Sequence, residues 1–177
     1  MKLHLESARH EPFRWQETVT LSPAELGLGR DHELSPVGVE GTLTHVPPGY
    51  LLEARLAFQA TMPCDRCLAS VTFDLEPKVT LVVERRDEEE GSTEHELQED
   101  ELGIVEVEGE VLETRPLVAE QVLLHLPAKP LCRQDCAGLC PTCGADLNAG
   151  PCGCAEGEGD ARWAALAAFK NKPDGGS

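Results

Sequence analysis

The feature that most constrains this chain is its eight cysteines, which come in closely spaced pairs. Six lie between Cys132 and Cys154, in the run C-R-Q-D-C-A-G-L-C-P-T-C-G-A-D-L-N-A-G-P-C-G-C. The other two, Cys64 and Cys67, form a C-x-x-C upstream of a long acidic stretch. Thiolates at short gaps, set among Gly, Pro and Asn, suit a tetrahedral zinc ion. Short gaps let neighbouring sulfurs converge on one metal, and glycine lets the backbone turn and donate N–H to sulfur. The spacing predicts two four-coordinate Zn2+ sites. Cys140, Cys143, Cys152 and Cys154 make a compact local knuckle, which leaves Cys132 and Cys136 to join Cys64 and Cys67. Bringing Cys67 to Cys132 closes a loop of about 65 residues, at an entropic cost of roughly 3–4 kcal/mol. Structural zinc supplies on the order of 10–16 kcal/mol, so the closure is permitted. A rival assignment puts Cys132, Cys136, Cys140 and Cys143 on one ion and Cys64, Cys67, Cys152 and Cys154 on the other.

The surroundings favour metal over disulfides. The segment Met1–Glu6 has no apolar leader character, and no later apolar run is long enough to span a membrane. The expectation is a cytoplasmic protein, where thiols stay reduced. The net charge of −17 counts the cysteines as neutral, and a zinc held by four thiolates adds further negative charge. Arg66 and Arg133, beside the cysteines, either offset that charge from outside the ligand shell or lie solvated on the surface. So acidic a chain does not cling to nucleic acid non-specifically. Aromatic residues make up 4% of it, too few for a wide base-stacking platform.

A length of 177 residues accommodates one sizeable core and a small appended module. The predicted fold is α+β and β-dominated. It is an antiparallel sheet or partly open barrel with a buried helix, a cysteine-rich zinc knuckle and a C-terminal helix. Strands are expected from residue 2, over 13–21, 37–46 and 50–61, then 68–75, 79–84 and 104–107, with Leu52, Ala54, Leu56 and Phe58 on one face. Ser22-Pro23 starts a turn and a short helix to Leu28. Pro47-Pro48-Gly49 turns a hairpin that delivers the chain to Cys64. Thr114 is expected to cap a helix with Pro116 in its first turn. Leu117, Val118, Val122, Leu123, Leu124 and Leu126 surround that helix nearly completely, so it should be buried. His125 is read as a packed group, or as one that supports a ligand from outside the coordination sphere, rather than as a ligand. Residues 1–131 thus form a β-rich core with an acidic loop at 87–101, residues 132–154 the knuckle, and residues 155–177 a linker and helix.

Two further stretches are candidates for partner binding. Residues 87–101 carry nine carboxylates and no Lys or Arg, so self-repulsion predicts a mobile segment. It is either a solubilising insertion or a docking strip for a basic partner, with Asp87, Glu88, Glu89 and Glu90 at its start. Asp160 caps an expected helix over 161–170, and Arg162, Trp163, Lys170 and Lys172 make that end locally basic.

Taken in order, C-D-R-C-L at 64–68, the acidic insertion, L-L-H-L-P-A-K-P-L-C, the C-x-x-x-C-x-G-L-C-P-x-C-G-x-x-L-N run with its C-x-C, and D-A-R-W-A-A-L-A-A-F-K form a specific set. The set resembles the YceD-like family of bacterial large-ribosomal-RNA-subunit accumulation proteins, from about Leu52 to Lys172. The resemblance implies a non-enzymatic role in ribosome biogenesis. Some family members lack the second cysteine group, which makes the Cys140–Cys154 knuckle look like an addition. The expected partner is the large-subunit precursor, reached through ribosomal proteins with local RNA contact, by a monomer and with no membrane involved.

Two other functions compete. A catalytic zinc keeps an open position, often with His or carboxylate ligands. Here there are cysteines enough to close both sites, and no H-E-x-x-H pattern is present. A zinc-ribbon nucleic-acid binder acting alone is the alternative, and the acidity opposes it.

Overall fold

The computed structural model describes residues 1–86 and 104–154. Strand dominates, and the long strand β5, Gly49–Pro63, is the spine of the fold. Leu52, Leu56, Phe58, Ala60 and Met62 along it are buried, the period-2 pattern of a strand with one covered face. Its first half lies between β4, Val37–Val46, and β7, Lys78–Arg86. Its second half pairs instead with β3, Glu33–Leu34, and β6, Ser70–Leu75. One strand therefore serves two sheet surfaces and ends next to Cys64. The hairpin into β5 is the Pro47-Pro48 turn, with Val46 opposite Gly49.

The remaining strands close the ends. β2, Phe13–Val19, is antiparallel to β4. β8, Ile104–Glu108, lies beside β7 but runs parallel to it, the one departure from antiparallel pairing among the described strands. A parallel neighbour needs a long crossover, and residues 87–103 provide the length. β1, Lys2–His4, and β9, Val111–Glu113, form a separate two-stranded sheet with Leu3 opposite Leu112. After β1 the chain turns into a 3-10 helix over Leu5–Ala8 instead of continuing as strand.

Two apolar clusters fill the interior. One gathers Trp15, Leu43, Leu52 and Val83 with Leu3 and Leu112 of the two-stranded sheet and Leu5 of the 3-10 helix. The other gathers Val37, Val39, Leu56, Phe58 and Ala60 under Val118 and Val122 of α1, Thr114–His125. The helix buries this one face rather than its whole circumference: Leu124 is 67% exposed and Leu123 42%. Thr114 does not cap it. The helix starts at Thr114, behind Glu113, and the Thr114 hydroxyl donates to the Met1 carbonyl instead. Ser22 and Glu25 do form a reciprocal pair, but residues 23–27 make only turns. No helix among the described residues is long and apolar enough to cross a membrane. The expected acidic segment 87–101 and the helix at 161–170 lie outside the described residues.

Candidate metal centres

Two C-x-x-C turns carry the cysteine chemistry, and they are built alike. In the first, which follows β5, the Leu68 N–H donates to the Cys64 carbonyl at 2.9 Å and the Cys64 N–H to the Ala69 carbonyl at 2.8 Å. In the second, Gly144 N–H reaches the Cys140 carbonyl at 2.9 Å and Cys140 N–H the Ala145 carbonyl at 2.8 Å. An amide also points at the leading sulfur of each turn, Arg66 N–H at Cys64 Sγ, 3.5 Å, and Thr142 N–H at Cys140 Sγ, 3.4 Å. The residue after each second cysteine must turn back through the left-handed region, at φ 61° for Leu68 and 73° for Gly144. Glycine does this freely, whereas a leucine is strained there.

The remaining cysteines complete two groups. Cys64, Cys67, Cys132 and Cys136 form one, and Cys140, Cys143, Cys152 and Cys154 the other, with all four sulfurs of each within 4.8 Å of one another. The rival assignment is not the grouping the sulfurs adopt. Cys67 Sγ is 3.6 Å from Cys132 Sγ, and Cys64 Sγ is 3.9 Å from Cys136 Sγ. Sulfurs at ~2.3 Å from a central tetrahedral ion stand ~3.8 Å apart, and these two separations match that length. A disulfide requires ~2.05 Å, and all eight thiols are free. The donor set and its spacing fit a metal in both places.

Local contacts hold the first group together across the fold. Asp65 N–H donates to the Pro130 carbonyl at 2.8 Å, joining the first turn to the segment after α1. The Arg66 guanidinium donates to the carbonyls of Cys136, 2.8 Å, and Gln134, 3.3 Å. Arg133 donates to Asn148 Oδ1 at 2.8 Å. Both arginines thus serve the cysteine loops. Gly138, at φ 77°, passes so close to the first turn that a Cβ there would stand 3.0 Å from the Arg66 carbonyl oxygen. His125 belongs to neither group, and its Nδ1 lies 2.8 Å from the Gln121 carbonyl on its own helix. It is exposed, not packed.

Crowded sulfurs split in acidity. The amides of Cys67, Cys132 and Arg66 draw the Cys64 thiol down to about 6. Those of Cys143 and Thr142 bring Cys140 to about 6. The adjacent Cys136 sulfur pushes Cys132 up to about 12, and Cys143 and Cys152 push Cys154 up to about 11. Each group therefore has a sulfur poised to ionise and another that resists until a cation offsets the repulsion.

A family profile described as large ribosomal RNA subunit accumulation protein YceD matches residues 52–170. The chain belongs to the YceD family. The matched span starts within β5 and includes all eight cysteines. Uncharacterised proteins of Mycobacterium bovis and Mycobacterium tuberculosis are 33% identical over 161 residues, which is 87% of this chain and 72% of theirs. No solved structure matches.

Among the residues expected to bind partners, Asp87, Glu88, Glu89, Glu90, Arg162, Trp163, Lys170 and Lys172 lie outside the described residues. Sequence reasoning placed Asn148 in the L-N of the cysteine run but gave it no role. Its side chain touches Cys136 Sγ from the far loop.

Proposed function

We propose that this protein is a non-enzymatic ribosome-biogenesis factor that supports accumulation of large-subunit ribosomal RNA and holds two structural zinc ions. The observation that carries the reading is the pair of four-cysteine groups within a chain of the YceD family. Cys64, Cys67, Cys132 and Cys136 would hold one ion, and Cys140, Cys143, Cys152 and Cys154 the other. Zinc in either place supplies a cross-link among four thiolates and keeps no open position for substrate. The protein's own residues do the rest. The turn amides donate to Cys64 and Cys140, Arg66 fixes the carbonyls behind Cys136, and the first group ties the end of β5 to the segment after α1.

In this reading residues 1–131 are a β-rich core, 132–154 the knuckle and 155–177 the C-terminal segment of a cytoplasmic monomer. Its partners are basic ribosomal proteins on the maturing large subunit, attracted by a chain of net charge −17. Asp87, Glu88, Glu89 and Glu90 are the proposed start of the docking strip, and Arg162, Trp163, Lys170 and Lys172 the local RNA contact. The test is a pull-down of the tagged full chain from lysate, with and without ribonuclease, followed by mass spectrometry. Ribosomal proteins should remain bound after ribonuclease. Loss of all capture on ribonuclease treatment, together with a salt-dependent gel shift of bare RNA or DNA, would establish the alternative of a zinc-ribbon nucleic-acid binder acting alone.

A further inference from the structure

The two cysteine groups share a connection that neither needs for its own four ligands. Cys136 of the first and Cys140 of the second are separated only by Ala137, Gly138 and Leu139. That short link is gripped from both sides. Leu139 N–H donates to the Arg66 carbonyl of the first turn at 3.0 Å, and the Gly138 carbonyl accepts from Leu147 N–H at 2.9 Å. Leu139 also forms a bridge with Asp146. The loop between Cys143 and Cys152 thus lies against the backbone that carries Cys136.

Asn148, near the middle of that loop, makes the contact specific. Its Oδ1 accepts from Ala137 N–H and from Arg133 Nη2, each at 2.8 Å. Its Nδ2 donates to Cys136 Sγ at 3.5 Å and to Asp146 Oδ1 at 2.7 Å. All four bonding positions of the amide are used, and three of them are spent on residues 133–137. An asparagine that served only its own turn would bond its own loop. Here Asp146 accepts from both Asn148 N–H, 2.9 Å, and Nδ2, which aims the amide across at the other group.

We infer that Asn148 couples the two metal sites, so that an ion at Cys140, Cys143, Cys152 and Cys154 raises the affinity of Cys64, Cys67, Cys132 and Cys136 for zinc, and the reverse. The inference rests on the two-zinc reading above. A metal bridging Cys143 and Cys152 pins both ends of the loop that presents Asn148. With the loop pinned, Cys136 has its N–H donor and Ala137 its acceptor before the first ion arrives. Without it, both must be ordered during binding. Linkage makes the effect reciprocal. Groups that bond a ligand from outside the coordination sphere change metal affinity by ~10–100-fold, and the coupling is expected in that range.

The test is competition for Zn2+ against a chromophoric chelator at fixed pH, using the full chain. Five proteins are compared: the wild type, Asn148→Ala, Asn148→Asp, a first-site variant Cys64→Ser/Cys67→Ser, and a second-site variant Cys152→Ser/Cys154→Ser. The product of the two wild-type binding constants should exceed the product of the single-site constants by ~10–100-fold. In Asn148→Ala, which keeps all eight cysteines, the overall constant should fall by about the same factor while two ions still bind. Asn148→Asp retains the oxygen that Ala137 and Arg133 use but loses the donor to Cys136. It should restore less than half of that loss on a logarithmic scale. If the first-site variant does not fold, Asn148→Ala is also made in the second-site variant, where coupling predicts a smaller loss than in the wild type and an equal loss would overturn it. Equal overall constants for the wild type and Asn148→Ala would overturn the coupling. So would a wild-type product equal to that of the isolated sites. A wild type that binds fewer than two ions contradicts the two-zinc reading itself, which separates the two failures.

Discussion

Replacing Cys64 with serine should destabilise the fold more than replacing Cys152, although each change removes one sulfur from a four-sulfur group. Two differences set the size of the gap. Cys67 and Cys132 lie 65 positions apart, whereas the second group closes a loop of about nine residues between Cys143 and Cys152. The logarithmic dependence of closure entropy on length makes the long-range restraint worth about 1.8 kcal/mol more. Cys64 is also fully buried at 0% exposure, while Cys152 is half-buried. Placing a serine hydroxyl in the dry position costs about 1–3 kcal/mol further. The combined gap of roughly 3–5 kcal/mol corresponds to about 10 °C in Tm for a chain of this size. Matched thermal melts, with zinc content measured on the same samples, provide the assay. Equal losses of Tm in the two variants, or a larger loss for Cys152→Ser, would refute the idea that the first group clamps distant parts of the chain.

Other substitutions probe the packing around the same frame. The Trp15 indole lies over Gly41 on the neighbouring strand, where a Cβ would clash with the ring carbons. Gly41→Ala should therefore cost about 1–3 kcal/mol and shift the Trp fluorescence, and an unchanged melt and spectrum would contradict this. Gly138→Ala places a methyl against the Arg66 carbonyl in a left-handed backbone. It should lower zinc affinity together with Tm, and unaltered chelator competition would count against the docking described. Leu68→Gly relieves left-handed strain at an exposed position. It should raise stability by about 0.5–1 kcal/mol, and a lower Tm would show that the leucine side chain contributes more than its strain costs. Zinc binding at pH 7 should release protons, because Cys132 and Cys154 are held at about 12 and about 11 until a cation arrives. Apparent affinity should consequently rise with pH, and calorimetry in buffers of different ionisation enthalpy should report the protons released. Heats independent of buffer would contradict it.

What could be read from the sequence depended on how local the governing interaction is. The alternation of Leu52, Leu56 and Phe58 identifies the buried face of β5, because side-chain direction in a strand has a fixed period. The local knuckle was legible because short gaps limit which sulfurs can meet, whereas the meeting of Cys67 and Cys132 across 65 positions needed the fold to set it apart from the rival assignment. The parallel pairing of β8 was not, since Ile104–Val107 reads as a strand whichever way its neighbour runs. Thr114 looks like a cap until tertiary structure turns its hydroxyl to the Met1 carbonyl. The apolar circumference of α1 suggested full burial, yet the sheet covers only the Val118 and Val122 side. Leu68 carries no sign of its positive φ, because the position that is glycine in the second turn is leucine in the first. Asn148 acts through a neighbouring loop, and nothing in its local sequence names Cys136 as its contact.

The central claim is that eight cysteines hold two zinc ions in the two groups described. Native mass spectrometry of the full chain, expressed with zinc in the medium and purified without chelator, tests it most directly. The account predicts a dominant species carrying two zinc ions, and loss of one ion in Cys64→Ser and of one in Cys152→Ser. A dominant species with one zinc or none, or with its cysteines joined as disulfides, would contradict it.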